Sequence, residues 1–304
     1  MTCVFRLSAP ASAPRVRPSV TGRQRAAVPV RATDRPSDAP PGPDPREPSR
    51  RALMAAAAGA ALACGAAPPP ARAMIVDEGV AEAVYAGAVA SVASLVDFRV
   101  APDGREDVEG VGSGVVWDRL GHIATNYHCV ARLAADKSGA QGTRVGLVAG
   151  PGAPLVEYPA TLVGVDPGRD LAVLRVDAPE SALRPVRVGT SADLRVGQSV
   201  FAIGNPDGLL HTLSAGVVSG KNRAIPSPTG QRITGCLQTD AQINAGNSGG
   251  ALLDSAGRMV GMSTATFTRK GTGRGSGVNF AIPADTLVAV VPRLIAFGSP
   301  GGAR

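Results

Sequence analysis

The chain has 304 residues, 44 % hydrophobic and 3 % aromatic, with 31 Lys and Arg against 24 Asp and Glu for a net charge of +7. The excess lies at the front: residues 1–73 hold 11 Arg and no Lys against 4 acidic residues, while the remainder holds 20 of each sign. A neutral remainder lacks the clustered positive charge of a nucleic-acid binder, so no nucleic-acid partner is expected, and about 230 residues suffice for a sizeable core.

Residues 1–48 are rich in Arg, Ala, Ser and Pro, with no acidic residue before Asp34, the composition of an organellar transit peptide. Val30-Arg31-Ala32 resembles a stromal processing site. Residues 49–73 then read as a second signal. Arg50-Arg51 precede an apolar, mostly alanine run that closes on Ala71-Arg72-Ala73, as in a twin-arginine signal peptide. The apolar run is about 16 residues, short of the roughly 20 that a spanning helix needs. A Sec signal, a membrane anchor, a disordered basic tail and a bacterial export signal are the other readings. The tandem of two signals favours a chloroplast thylakoid lumen destination.

Beyond the leader, short Val/Ile/Leu runs recur between turn residues. Residues 89–100, 111–117, 122–126, 144–148, 160–165 and 171–176 read as six strands of a first unit within 74–188. Residues 199–203, 212–219, 233–239, 251–254, 259–268 and 277–282 read as six more in a second unit, 189–283. Short strands at this spacing, without alternating helices, predict an all-β protein of two antiparallel barrels. The last segment, 284–304, predicts a closing helix with Leu287, Val288, Val291, Leu294 and Ile295 on one face, bent or broken by Pro292. Two cysteines follow the leader, Cys129 and Cys236. A disulfide between them is one reading; two buried free thiols is the preferred one. No cluster has metal-ligand spacing, so neither metal nor cofactor is expected.

Three segments carry chemistry. Thr125-Asn126-Tyr127-His128 ends one strand, Asp170 immediately precedes another, and Gly246-Asn247-Ser248-Gly249-Gly250 lies between two more. Taken singly they are weak: a glycine turn, a buried histidine, an acid opening a strand. Together they supply a serine hydroxyl, an imidazole to take its proton and a carboxylate to hold the imidazole's tautomer. A turn of small residues also lets backbone N–H groups converge on an oxyanion. The chain order His128, Asp170, Ser248 is that of chymotrypsin-like double barrels rather than of subtilisin or α/β-hydrolase folds.

With Gly112-Ser113-Gly114, Ala202-Ile203-Gly204-Asn205-Pro206, Gly216 to Gly220, Gln238-Thr239-Asp240-Ala241 and Asn279-Phe280-Ala281-Ile282-Pro283, the stretch from about 110 to 298 resembles the Deg/HtrA (protease Do-like) serine proteases. It is most similar to the chloroplast lumenal branch without a PDZ domain. The resemblance implies two chymotrypsin-like six-stranded barrels and a C-terminal helix, with too few residues left for a PDZ domain. It implies His128 as general base, Asp170 as its orienter and Ser248 as nucleophile, with an oxyanion hole from the N–H groups of Gly246, Asn247 and Ser248. It places Ile243, Met262 and Val278 in a specificity pocket for a medium aliphatic side chain. Cys129, where the family carries an aliphatic residue, reads as a near-isosteric exchange.

The loop 101–109 is short, so the long regulatory insertion of some relatives is not expected. The implied partners are unfolded or damaged protein substrates, a homo-trimer formed through residues around 81–95 or a hetero-oligomer with another lumenal Deg protease, and a peripheral contact with the lumenal thylakoid face. The implied activity is serine endopeptidase in protein quality control and photosystem II repair. The alternative is a partner-dependent subunit or chaperone-like holdase with little activity alone; a pure binding module leaves the catalytic spacing unexplained.

Overall fold

Alternation at period two, read along the strands, sorts side chains into three cores rather than one core and a solvent face. In Leu171-Ala172-Val173-Leu174-Arg175-Val176, Leu171 and Val173 join one cluster with Phe201, Ile203 and Leu253, whereas Ala172, Leu174 and Val176 join another with Leu95, Ile123 and Leu147. Val200, Ala202 and Leu252 enter a third. Two clusters fill barrels, and the one shared by both sets of strands is the seam between them. Such strands read as continuous hydrophobic runs because both of their faces are buried.

The computed structural model describes residues 4–5, 77–226, 230, 232–268 and 275–299, all in one compact unit. The two expected leader segments, 1–48 and 49–73, lie outside the described residues except for a two-residue strand, β1 (Val4–Phe5), paired in parallel with Thr266 and Phe267. The first barrel comprises β2 (Val92–Val100), β3 (Glu106–Val116), β4 (His122–Thr125), β5 (Gln141–Val148), β6 (Leu155–Asp166) and β7 (Leu171–Val176). It closes in the order β2-β3-β4-β7-β6-β5. The second comprises β8 (Ser199–Gly204), β9 (Thr212–Pro226), β10 (Arg232–Thr239), β11 (Ala251–Asp254), β12 (Met259–Thr268) and β13 (Gly275–Pro283). Its ring, β8-β9-β10-β13-β12-β11, closes through the β8–β11 ladder and repeats the connectivity of the first. The short helices are α1 (Glu78–Ala88), capped by the Asp77 carboxylate, and α2 (Ala131–Ala135); α3 (Ala284–Phe297) closes the chain.

The twelve expected strands are all present, but several are longer than the hydrophobic runs that announce them. β3 begins at Glu106 instead of Val111 because its first half is a solvent-facing hairpin arm of β2, so no apolar alternation marks it. Val89–Ser91 is a tight helical turn rather than the start of β2. The helix α3 runs unbroken for 14 residues through Pro292, contrary to a break there. The carbonyl that proline leaves unpaired is that of Val288, which is 50 % exposed, so water can satisfy it. Val288 is therefore outside the buried stripe, which is Leu287, Val290, Val291 and Leu294.

The end of α3 is pinned to the first barrel. Gly298 caps the helix in the left-handed region, at φ 71°, and its carbonyl accepts the Val165 N–H at 3.1 Å. A Cβ on Gly164 would lie 2.6 Å from the Leu294 carbonyl and 2.9 Å from that of Gly298. Gly164→Ala is therefore expected to push the helix end away and lower stability by about 1–3 kcal/mol, the cost of overpacking. Urea unfolding measures it; an unchanged midpoint would show that the pin carries no stability.

Candidate active site

β4 pairs antiparallel with β7, with Thr125 opposite Ala172, so the residues leaving β4 arrive beside those entering β7. His128 sits in the helical turn after β4 and Asp170 one residue before β7. Asp170 is completely buried. Its Oδ2 lies 2.8 Å from His128 Nδ1, and its Oδ1 accepts the His128 backbone N–H at 3.0 Å. Its own carbonyl accepts from Tyr127 N–H at 3.1 Å and from Asn126 Nδ2 at 3.0 Å. These contacts hold Asp170 at φ 57°, a left-handed conformation that an aspartate tolerates and most residues avoid. Burial opposes charge on the His128 ring, but Cys129 and Asp170 beside it outweigh burial and raise its pKa well above 6.5.

Asp170 has a further donor from across the cleft. Thr264 Oγ1, on β12 of the second barrel, donates to Oδ2 at 2.7 Å, so each barrel supplies hydrogen bonds to the one buried carboxylate. Thr264 was not identified from the sequence. It lies inside a Ser-Thr-Ala-Thr run indistinguishable from ordinary strand chemistry.

Ser248 lies in the turn between β10 and β11. Gly246 and Gly249 adopt φ 93° and 87°, which non-glycine residues rarely adopt. A Cβ on Gly249 would meet the Ser113 carbonyl at 2.0 Å, so this turn lies directly on β3 of the first barrel. Ser113 holds it twice: its N–H donates to the Ser248 carbonyl at 2.9 Å, and its hydroxyl donates to the Gly246 carbonyl at 2.6 Å. That hydroxyl in turn accepts from the Asn205 N–H at 2.9 Å and Asn205 Nδ2 at 3.1 Å. Ser113 and Asn205 both belong to sequence motifs noted above, whose positioning role in this turn only the fold makes visible.

These clamps determine which amides remain free. The Asn247 N–H is not available to an oxyanion, because it donates to the Asn244 carbonyl at 3.1 Å and closes the turn. The Asn247 carbonyl accepts from Gly250 N–H at 2.9 Å, which turns the Ser248 N–H, on the same peptide, the other way. Among the described residues, the N–H groups of Gly246 and Ser248 donate to no protein acceptor. Of the three amides expected to form an oxyanion hole, two are thus left without a protein acceptor, the usual complement for a tetrahedral oxyanion. The Ser248 hydroxyl donates to the Thr264 carbonyl at 3.2 Å.

His128 and Ser248 line one cavity of about 100 Å³ together with Cys129, Gly246 and residues of the first barrel. The expected pocket residues do not reach it. Ile243 is 2 % exposed inside the second barrel and Met262 is fully buried in the seam, while Val278 packs, half-buried, against that seam. Met262 faces inward because its β12 register sets it against Ala251 and Ile282. Cys129 is more than an apolar filler: its Sγ lies 3.7 Å from the Ser248 carbonyl and lines the cavity. Cys236 is fully buried in the seam, a separate free thiol whose pKa burial pushes up to about 12. His122, bonded to Asp118 at 2.7 Å, and His211, bonded to the Val92 carbonyl at 3.0 Å, lie outside the cavity. No group of three metal-ligating side chains exists among the described residues.

The arrangement gathers around one cavity a serine hydroxyl on a clamped turn, an imidazole oriented by a buried carboxylate and two amides without a protein acceptor. Ser113→Ala is expected to lower kcat on a chromogenic ester by about tenfold or more with KM little changed, since lost oxyanion donors cost about 100- to 1,000-fold. Ser113→Thr, which keeps the hydroxyl, should recover most of it. Steady-state kinetics checks this, and equal loss in both variants would assign Ser113 to packing alone.

Comparison with known proteins agrees with this geometry. Residues 112–262 match the trypsin-like peptidase domain. The chain is 58 % identical over 192 residues to Protease Do-like 5, chloroplastic, of Arabidopsis thaliana, and 51 % over 191 residues to Protease Do-like 1, chloroplastic, of the same plant. These matches cover 63 % and 62 % of this chain but 59 % and 40 % of the relatives, so the chain spans about half the length of the curated proteins it resembles. The crystal structure of Deg5 superposes with a TM-score of 0.62 at 45 % identity, covering 75 % of this chain and 100 % of that one. The HtrA-type protease AlgW with a tripeptide superposes at 0.58 and 34 % identity, covering 72 % of this chain and 64 % of that one. With a shared double-barrel fold and this level of identity, the chain belongs to the Deg/HtrA family of trypsin-like serine proteases.

Proposed function

We propose that this chain is a serine endopeptidase that degrades damaged or unfolded proteins in the chloroplast thylakoid lumen, serving protein quality control and photosystem II repair. The observation that carries the chemistry is the 2.8 Å His128–Asp170 pair opening onto the same cavity as Ser248. In this reading, His128 Nε2 takes the Ser248 proton as Oγ attacks the substrate carbonyl. Asp170 stabilises the imidazolium, and the Gly246 and Ser248 N–H groups bind the oxyanion. His128 then gives the proton to the leaving amine, and water repeats the sequence on the acyl-enzyme. Ile243, Met262 and Val278 are proposed to give the acyl side an aliphatic preference after rearrangement of their surroundings.

The location rests on the two-part leader and on relatives that carry chloroplastic names. No described helix is long and apolar enough to cross a membrane. Assembly is proposed as a homo-trimer through the segment around α1, or as a hetero-oligomer with another lumenal Deg protease.

One observation favours the second reading, a partner-dependent subunit or holdase. The Ser248 hydroxyl rests on the Thr264 carbonyl, so a rotation must precede attack. Cleavage of an unfolded model protein by residues 74–304, alone and as Ser248→Ala, with mass measured by light scattering, separates the two. Serine-dependent cleavage by the protein alone supports the protease; a correctly assembled but inactive particle supports the subunit.

The electrostatics fix a pH dependence. His128 must be neutral to accept a proton, and its pKa is raised well above 6.5, so activity should fall as pH drops through that raised value. A pH–rate profile should show its acid limb above pH 6.5. A limb at or below that value would contradict the raised pKa.

A further inference from the structure

The cavity beside Ser248 carries charges that the triad does not use. Its walls are the nucleophile turn on one side and, on the other, the first-barrel residues Asp97 of β2, Glu109 of β3 and Arg132 of α2. Glu109 is paired with Arg132 at 2.6 Å. Asp97 accepts one hydrogen bond, from Thr143 Oγ1 to Oδ1 at 2.5 Å, and no described donor reaches its other oxygen. Among the described residues, two carboxylates thus face one guanidinium in this cavity. Burial pushes the Asp97 carboxyl up to about 6, with the Thr143 hydrogen bond and Arg132 opposing it.

The position of the cavity identifies which half of a peptide it meets. Ser248 stands between β12, whose Thr264 carbonyl takes its hydroxyl, and the first-barrel wall that carries His128 and Cys129. A substrate carbonyl aimed at the Gly246 and Ser248 N–H groups sends its two halves in opposite directions. The leaving amine must lie on the His128 side, because His128 returns the proton to it. Residues after the scissile bond therefore run along the first-barrel wall, past Cys129 and toward Glu109 and Asp97.

We propose that this cavity is a leaving-group subsite that selects a basic side chain, Lys or Arg, in the first or second residue after the scissile bond, with Asp97 and Glu109 as its binding residues. A cationic side chain can donate to Asp97 Oδ2, which no described donor reaches; an acidic one meets two carboxylates. This specificity rests on the proteolytic reading of the site.

The test uses a peptide series differing only at those two positions, with Lys, Gln or Glu. Kd is measured on the Ser248→Ala protein, and kcat/KM on the native one. Binding decides the subsite and turnover decides the proteolytic reading, so the two can fail separately. The expected Kd favours Lys over Gln by about tenfold, the size of one charge-assisted hydrogen bond, and Gln over Glu. Adding Asp97→Asn, or separately Glu109→Gln, to Ser248→Ala should compress the Lys preference to about twofold or less without weakening the Gln peptide. Equal affinity for Lys and Gln, or a Lys preference surviving both substitutions, would overturn the proposal. Circular dichroism of each variant establishes that a lost preference does not reflect a lost fold.

Discussion

Everything in the cleft depends on the grip of Ser113 on the nucleophile turn. A two-barrel protease must align a base on one barrel with a serine on the other to a fraction of an ångström, and a hydrophobic seam, being non-directional, cannot do that by itself. Ser113 supplies the direction. Its backbone N–H and its hydroxyl take two carbonyls of the turn, at 2.9 and 2.6 Å, and Asn205 of the second barrel donates back to the same hydroxyl. Ser113 and Asn205 are buried, so an unmade bond there is costly and the position of the turn is enforced rather than merely allowed.

The second constraint is the charge of Asp170. A completely buried carboxylate persists only where hydrogen bonds replace water, and here they come from both barrels: the His128 N–H and ring from the first, Thr264 from the second. If the barrels slid relative to one another, Asp170 would lose Thr264 and the nucleophile turn would lose Ser113 together. The geometry of His128, Asp170 and Thr264 and the seam are therefore two aspects of one packing arrangement, and any process that loosens the seam disturbs both at once.

Much of this was legible in the sequence. The strands were visible because the seam and the two barrel interiors bury both faces of β7, β8 and β11, which leaves continuous apolar runs. The ends of β3 and β9 were not, since those arms face solvent and carry no hydrophobic period. His128, Asp170 and Ser248 stood out by residue type and order. Thr264 and the positioning role of Ser113 did not, because hydroxyl residues in strands are commonplace and their roles come from what the fold lays against them. The Asn247 N–H is not available to an oxyanion for a local reason: the turn consumes it. Pro292 failed as a helix breaker because the carbonyl it orphans lies at the surface.

Covalent trapping tests the central claim most directly. Residues 74–304 would be treated with a fluorophosphonate and the modified residue located by peptide mass spectrometry. A single adduct on Ser248, lost when Asp170→Asn removes the oriented base, is the expected result. No adduct on Ser248, or labelling at the same rate in the Asp170→Asn protein, would contradict an activated serine at this site.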